Sequence, residues 1–209
     1  MRTRAILLGA AFAYLLVQGA VAKADYEFVL GGGGYYQTTP NTPVTVPIYL
    51  QETGTSLLSS QGLIGAGVTV NFNSPSPPFA SATSITAGPG FTAGGGTGIT
   101  PGVANLIESS LAGVTGTLVS PGVYQILVGD VNFTTGSQPG TTTYLSATAY
   151  PSAGGSNVLG GGGVLDPLIG HAFGAIMTPE PAGLWCMAVA ALTVVGSIPL
   201  LRRNRKPRS

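Results

Sequence analysis

The stretch Val123–Thr134, VYQILVGDVNFT, decides the fold. Tyr124, Ile126 and Val128 alternate onto one face, as the two-residue repeat of a half-buried strand requires. After Gly129-Asp130 the apolar residues become Val131 and Phe133, in the opposite phase. A one-residue slip would carry every later side chain to the wrong face, so the chain must insert a residue or bend there. The pattern therefore predicts a strand broken by a β-bulge, or one that passes between two sheets.

Other stretches repeat the signal. Gly62–Phe72 (GLIGAGVTVNF) sets Val68, Val70 and Phe72 on one face and Thr69 and Asn71 on the other. Val44–Leu50 (VTVPIYL) reads as a strand, and Pro47, which has no N–H to donate, argues for an edge position. Thr143–Tyr150 (TYLSATAY) is a further strand. Val158-Leu159 and Val164-Leu165 flank Gly160–Gly163 as in a glycine hairpin. Helix signals are poor, because Gly, Pro, Thr and Ser abound while Lys, Arg and Glu are scarce. Glycine runs at 31–34, 94–96 and 160–163 raise the alternative of a low-complexity chain, but a disordered segment would lack the alternating apolar residues. Short strands separated by turn residues point to an all-β, antiparallel sandwich over residues 25–176, one domain by size.

The two ends differ from this body. Every lysine and arginine lies in them, and all seven acids lie between Ala24 and Leu201. Residues 1–24 read as a secretory signal peptide: Arg2 and Arg4, an apolar core from Ala5 to Val17, then small residues. Cleavage is expected after Ala24, with Ala22 as second choice. The apolar run of about 13 residues is short of the roughly 20 that a spanning helix needs.

At the other end, Pro179-Glu180-Pro181 precedes an uncharged apolar stretch, 182–201, long enough to span about 30 Å as a helix. Trp185 lies near one end of it, where an interfacial aromatic is favoured. The basic segment 202–209, with Arg202, Arg203, Arg205 and Lys206, would hold its side of the membrane in the cytoplasm and leave the body outside. This three-part tail, 177–209, resembles the PEP-CTERM sorting signal of bacteria. Pro179, Glu180 and Pro181 match the motif and Arg202-Arg203 the basic cap. The resemblance implies anchoring in the inner membrane, processing by an exosortase-type membrane peptidase, and transfer to the cell envelope, its surface or the extracellular polysaccharide matrix. A permanent single-span anchor is the competing expectation. The one cysteine, Cys186, falls inside the span, so the body has no thiol and no disulfide.

The order of segments in the body resembles the cohesin-like sandwich, which shares a jelly-roll fold with some carbohydrate-binding modules. The stretches that carry the resemblance are VTVPIYL, GLIGAGVTVNFNSP, YQILVGDVNFTT and GTTTYLSA. The segment Ser84–Gly102 departs from it as a glycine-rich loop. No binding residue carries over.

Several chemistries are disfavoured. His171, in IGHAFG, is the only histidine and reads as a linker residue beside the tail; no G-x-S-x-G accompanies it. A metal site built on His or Cys fails by count, and no cofactor is expected. For calcium, Asp130 and Asn132 could share a face, but no D-x-[DN]-x-[DN]-G loop occurs. Gly31–Gly34 lacks the lysine and helix start of a phosphate loop. A body without Lys or Arg offers no basic patch for nucleic acid. Its net charge of about −6 to −7 also repels anionic polymers at close range. Glu52, Glu108, Asp130 and Asp166 are the candidates for a hidden glycosidase pair. Tyr35, Tyr36, Tyr49, Tyr124, Tyr144 and Tyr150 are candidates for stacking on sugars. The expectation is a non-enzymatic exported surface or matrix protein, with a carbohydrate- or protein-binding module of cohesin-like type as the alternative.

Overall fold

The computed structural model describes residues 24–73 and 79–180. Ala22, Pro181, the apolar stretch 182–201 and the basic residues Arg202, Arg203, Arg205 and Lys206 lie outside the described residues. Among the described residues no helix is long and apolar enough to cross a membrane.

Two sheets face each other. The first takes β1 (Asp25–Leu30), β3 (Pro43–Thr53), β5 (Ser81–Ala87), β9 (Thr117–Ser120), β10 (Val123–Thr134) and β13 (Ile169–Gly170). Its order is β13-β1-β3-β10-β5, with β9 also paired to β10. The second takes β2 (Tyr35–Gln37), β4 (Leu63–Phe72), β6 (Thr92–Ala93), β7 (Gly98–Thr100), β8 (Val103–Val114), β11 (Thr141–Ala149), β12 (Val158–Leu159) and β14 (Ala172–Thr178). Its order is β2-β14-β11-β4-β8-β6, with β12 also on β4 and β7 on β8. The β1–β13 and β2–β14 pairs are parallel and the others antiparallel. A short α-helix, α1 (Leu57–Ser60), caps one end.

The phase change read in β10 is a bulge. Leu127 pairs with Tyr49 and Gly129 with Ile48, so Val128 is the inserted residue. Ile126, Val128, Val131 and Phe133 all face the core as a result. They meet Val46, Ile48 and Leu50 of the same sheet and Val68, Val70 and Leu106 of the facing one. Phe72 and Phe133 lock the layers together edge to face, with centroids 5.3 Å apart and planes at 88°.

The sheets depart from two expectations. Pro47 is not on an edge strand, since β3 lies between β1 and β10. It is tolerated because β1 ends its pairing at Ile48, one residue short of Pro47, so no ladder is interrupted on that side. The proline ring instead packs beneath Gly31. The segment Ser84–Gly102 is not a loop: it holds most of β5 and all of β6 and β7. Its glycines lie against β8, where a Cβ on Gly96 would collide with the Ile107 side chain. The bridge Val158–Val164 closes the glycine turn expected at 160–163.

The run Gly31–Gly34 carries the chain from β1 in the first sheet to β2 in the second. Gly34 has φ +77°, and a Cβ there would lie 2.8 Å from the Phe173 carbonyl oxygen. A Cβ on Gly174 would collide with the carbonyl oxygen of Gly34. Backbone passes against backbone where β14 meets the turn, and only glycine leaves room on both sides. β13 and β14 make the same change of sheet around His171, so the first and last strands of the sandwich cross between its sheets side by side.

Candidate functional site

The outer face of the second sheet is where uncharged but sticky chemistry gathers. Along β14 the core takes Ala172, Gly174, Ile176 and Thr178, which leaves Phe173, Ala175 and Met177 outward. Along β11 the outward residues are Thr142, Tyr144, Ser146 and Thr148. The register aligns them in rows. Tyr144 pairs with Ala175, and Ala175 with Tyr35 of β2. Phe173 pairs with Ser146, and Ser146 with Asn71 of β4. Thr148 pairs with Thr69, and Thr69 with Asn105 of β8.

Three of these rings are open to solvent: Tyr35 is 68 % exposed, Tyr144 66 % and Phe173 72 %. Ala175, between the two tyrosines, is buried, so the small residue forms the floor and the rings the walls. Beyond the rings the face turns polar without becoming charged. The Thr69 hydroxyl donates to Asn105 Oδ1 at 3.0 Å, and the Tyr144 backbone N–H donates to Asn73 Oδ1. A depression of about 580 Å³ occupies this polar half, between Asn71, Asn105 and Thr148 and the rim residues Tyr150, Pro151 and His171. A smaller one of about 330 Å³ runs beside Tyr144 and Asn73.

The face ends where a loop folds over it. Asn157 accepts from the Gly67 N–H at 3.1 Å and donates to the Gly67 carbonyl at 2.8 Å. Ser156 sits so close that a Cβ on Gly67 would overlap its own. Asp166 fixes that loop, accepting from the Ser156 and Asn157 backbone N–H groups, the Ser156 hydroxyl and the Asn157 amide.

The two most buried acids lie in the interior rather than on this face. Glu52 is fully buried at the end of β3, accepting from the Leu57 and Leu58 N–H groups at the start of α1 and from the Thr55 hydroxyl. The Tyr26 hydroxyl lies 3.5 Å away; its burial, with the Glu52 charge adding to it, pushes that phenol up to about 12. Glu108, on β8, is 3 % exposed and points into the core. Its Oε1 has no hydrogen-bond partner and Oε2 receives only a 3.4 Å contact from the Gly88 N–H. Burial therefore pushes its carboxyl up to about 7. Asn132 spends both ends of its amide on neighbours, accepting from Thr45 at 2.6 Å and donating to Ser84 at 3.1 Å. No group of three or more metal-ligating side chains occurs among the described residues.

Of the six tyrosines, the fold brings Tyr35 and Tyr144 onto one face, with Tyr150 at its rim. Tyr36 turns inward and donates to the Gly31 carbonyl at 2.5 Å, and burial pushes its phenol up to about 12. Tyr124 packs against the core. Tyr49 pairs with Val29 and Leu127 in the other sheet. His171 is not in a linker: it is exposed, between β13 and β14, at the rim of the larger depression. Phe173 was missed by sequence reading. Its signal is AFGAIMT, a strand with apolar residues in both phases, which marks a solvent face that is itself sticky. Of the sorting motif, Pro179 and Glu180 are exposed just beyond Thr178. Thr178 is held by the Gly140 N–H and the Thr141 hydroxyl, and a groove of about 480 Å³ opens there between Thr38, Pro40, Pro139, Pro179 and Glu180.

No protein-family model matches the chain, and no curated protein matches it. Solved structures do resemble it. The cohesin of a type I cohesin–dockerin complex from Clostridium thermocellum, Coh-OlpA-Doc918, superposes with a TM-score of 0.52 at 8 % identity, covering 73 % of this chain and 98 % of that one. The sixth cohesin of Acetivibrio cellulolyticus scaffoldin B, solved with a Cel5 dockerin variant, gives a TM-score of 0.51 at 16 % identity, covering 75 % and 99 %. At such identities the likeness is one of fold, and the fold of this body is the cohesin-like β-sandwich.

Proposed function

We propose that this protein is an exported, non-enzymatic binding module of cohesin-like type, sorted to the cell envelope through its tail and using the outer face of β2, β14, β11, β4 and β8 to hold its partner. The observation that carries this reading is the row Tyr144–Ala175–Tyr35 with Phe173 beside it: three large rings left in water on adjacent strands. Clustered exposed apolar surface on a soluble domain marks an interaction site. The sorting reading draws support from both ends of the sandwich. Its first strand begins at Asp25, directly after the expected cleavage site at Ala24, and its last ends at Thr178, directly before Pro179. The partners in sorting are then the inner membrane and an exosortase-type peptidase. A protein partner is a second reading, favoured by the likeness to cohesins solved in dockerin complexes.

Fractionation of cells expressing the full chain tests both parts. The envelope-bound protein is expected to have an intact mass that starts at Asp25 and ends near Pro179-Glu180-Pro181. The triple variant Tyr35→Ser, Tyr144→Ser, Phe173→Ser is expected to be processed identically but released to the medium. A mass that retains Arg202–Ser209 contradicts the sorting reading, and full retention of the triple variant contradicts the binding reading.

A further inference from the structure

We infer that the ligand of this face is an uncharged, extended β-linked polysaccharide, with Tyr35, Tyr144 and Phe173 as stacking platforms and Asn71, Asn105 and Thr148 as the hydroxyl-reading groups. The inference deepens the binding reading above and rests on it.

The face is uncharged along its aligned rows. The aligned rows contain no acid and no base: Tyr144, Ala175 and Tyr35; Asn71, Ser146 and Phe173; Asn105, Thr69 and Thr148. The six acids of residues 25–176 lie elsewhere, and no lysine or arginine occurs among those residues. An anionic polymer would meet the repulsion of the whole body with no cation to offset it. The carboxylates that border the face are already engaged: Glu27, which lines a depression with Phe173, accepts from Gln51, and Asp166 accepts from Ser156 and Asn157. A neutral ligand meets no such repulsion.

The face also mixes two kinds of group. A pyranose ring presents apolar C–H faces and a rim of hydroxyls. Exposed aromatic rings take the C–H faces, and amide and hydroxyl side chains, which both donate and accept, match the rim.

The spacing of the rings suits the same ligand. Tyr144 and Tyr35 flank β14, so their backbones stand two strand separations apart, roughly 9–10 Å. That is about the repeat of two sugars in an extended β-linked chain. Phe173 lies two residues along β14 from the intervening Ala175, diagonal to both tyrosines. A chain crossing the strands would meet a ring at alternate sugars, and the polar depression of about 580 Å³ lies on the same face beyond Phe173.

Affinity electrophoresis and calorimetry of the mature exported protein against hydroxyethylcellulose, mixed-linkage β-glucan and cellohexaose test this, with alginate as the acidic polymer. Binding to at least one neutral β-glucan is expected, unchanged between low and high salt because no charges pair across the contact. Loss of any one of the three rings should weaken it at least tenfold, whereas Leu118→Ser with Val119→Ser, exposed apolar residues on β9, should leave it unchanged. Binding to alginate alone, or binding that the ring variants do not weaken, overturns the inference. Failure of all neutral glycans while the triple variant is still released from the envelope overturns the glycan assignment and leaves a protein partner. Failure of both removes the binding reading as well.

Discussion

Replacing Glu52 with alanine is expected to lower the unfolding free energy by about 3–5 kcal/mol. The carboxylate is fully buried and is the acceptor for the Leu57 and Leu58 N–H groups and the Thr55 hydroxyl. Those N–H groups open α1, a four-residue helix with no cap from its own N-cap side chain. Truncation leaves buried donors without acceptors, each costing about 1–3 kcal/mol, and opens a cavity beneath the helix. Charge alone is not the issue, because the donors would accept any well-placed oxygen. Glu52→Gln keeps one such oxygen and should lose about half as much. Urea unfolding of both variants checks this through a shift in midpoint at unchanged slope.

The Glu108→Gln substitution has the opposite sign. The carboxyl of Glu108 has been pushed up to about 7 by burial, from an ordinary value of 4.5. The fold therefore favours its neutral acid over its carboxylate. The stability that this difference represents is complete below pH 4.5 and lost as the pH rises through 7. The span corresponds to about 3 kcal/mol between the acid side and the alkaline side of the transition. Glutamine stays neutral throughout, so the variant should match the parent near pH 4.5 and exceed it by about 2–3 kcal/mol near pH 8.5. Urea midpoints of both proteins across that range read the difference directly. Parallel pH profiles would show that the carboxylate is satisfied in the folded state.

Much of the sandwich was legible because its pattern is local. The alternation in Gly62–Phe72 and the slip in Val123–Thr134 each report a face and a bulge that the sheets confirm. Pro47 misled because a proline reports only its own missing donor, and whether that donor is needed depends on where β1 stops, a fact set by the glycines at 31–34. The glycine-rich segment after Ser84 was illegible for a related reason. Its strands are held by backbone pairing and by close approach to Ile107, which leave no periodic side-chain signal. The candidate site was half visible. Six tyrosines could be named, but grouping Tyr35 with Tyr144 needs the parallel pairing of β2 to β14, from opposite ends of the sandwich domain's chain. Nothing in the sequence near Tyr35 announces that partner.

The outer face of the second sheet is the proposed working surface of this protein. Oxidative footprinting tests it whatever the ligand is, by comparing the protein on intact native envelopes with the same protein released and purified. Tyr35, Tyr144 and Phe173 are expected to lose reactivity on the envelope, while Leu118 and Val119 of β9 and Tyr49 of the first sheet keep theirs. Unchanged reactivity of the three rings, or protection centred on the first sheet, would contradict the account.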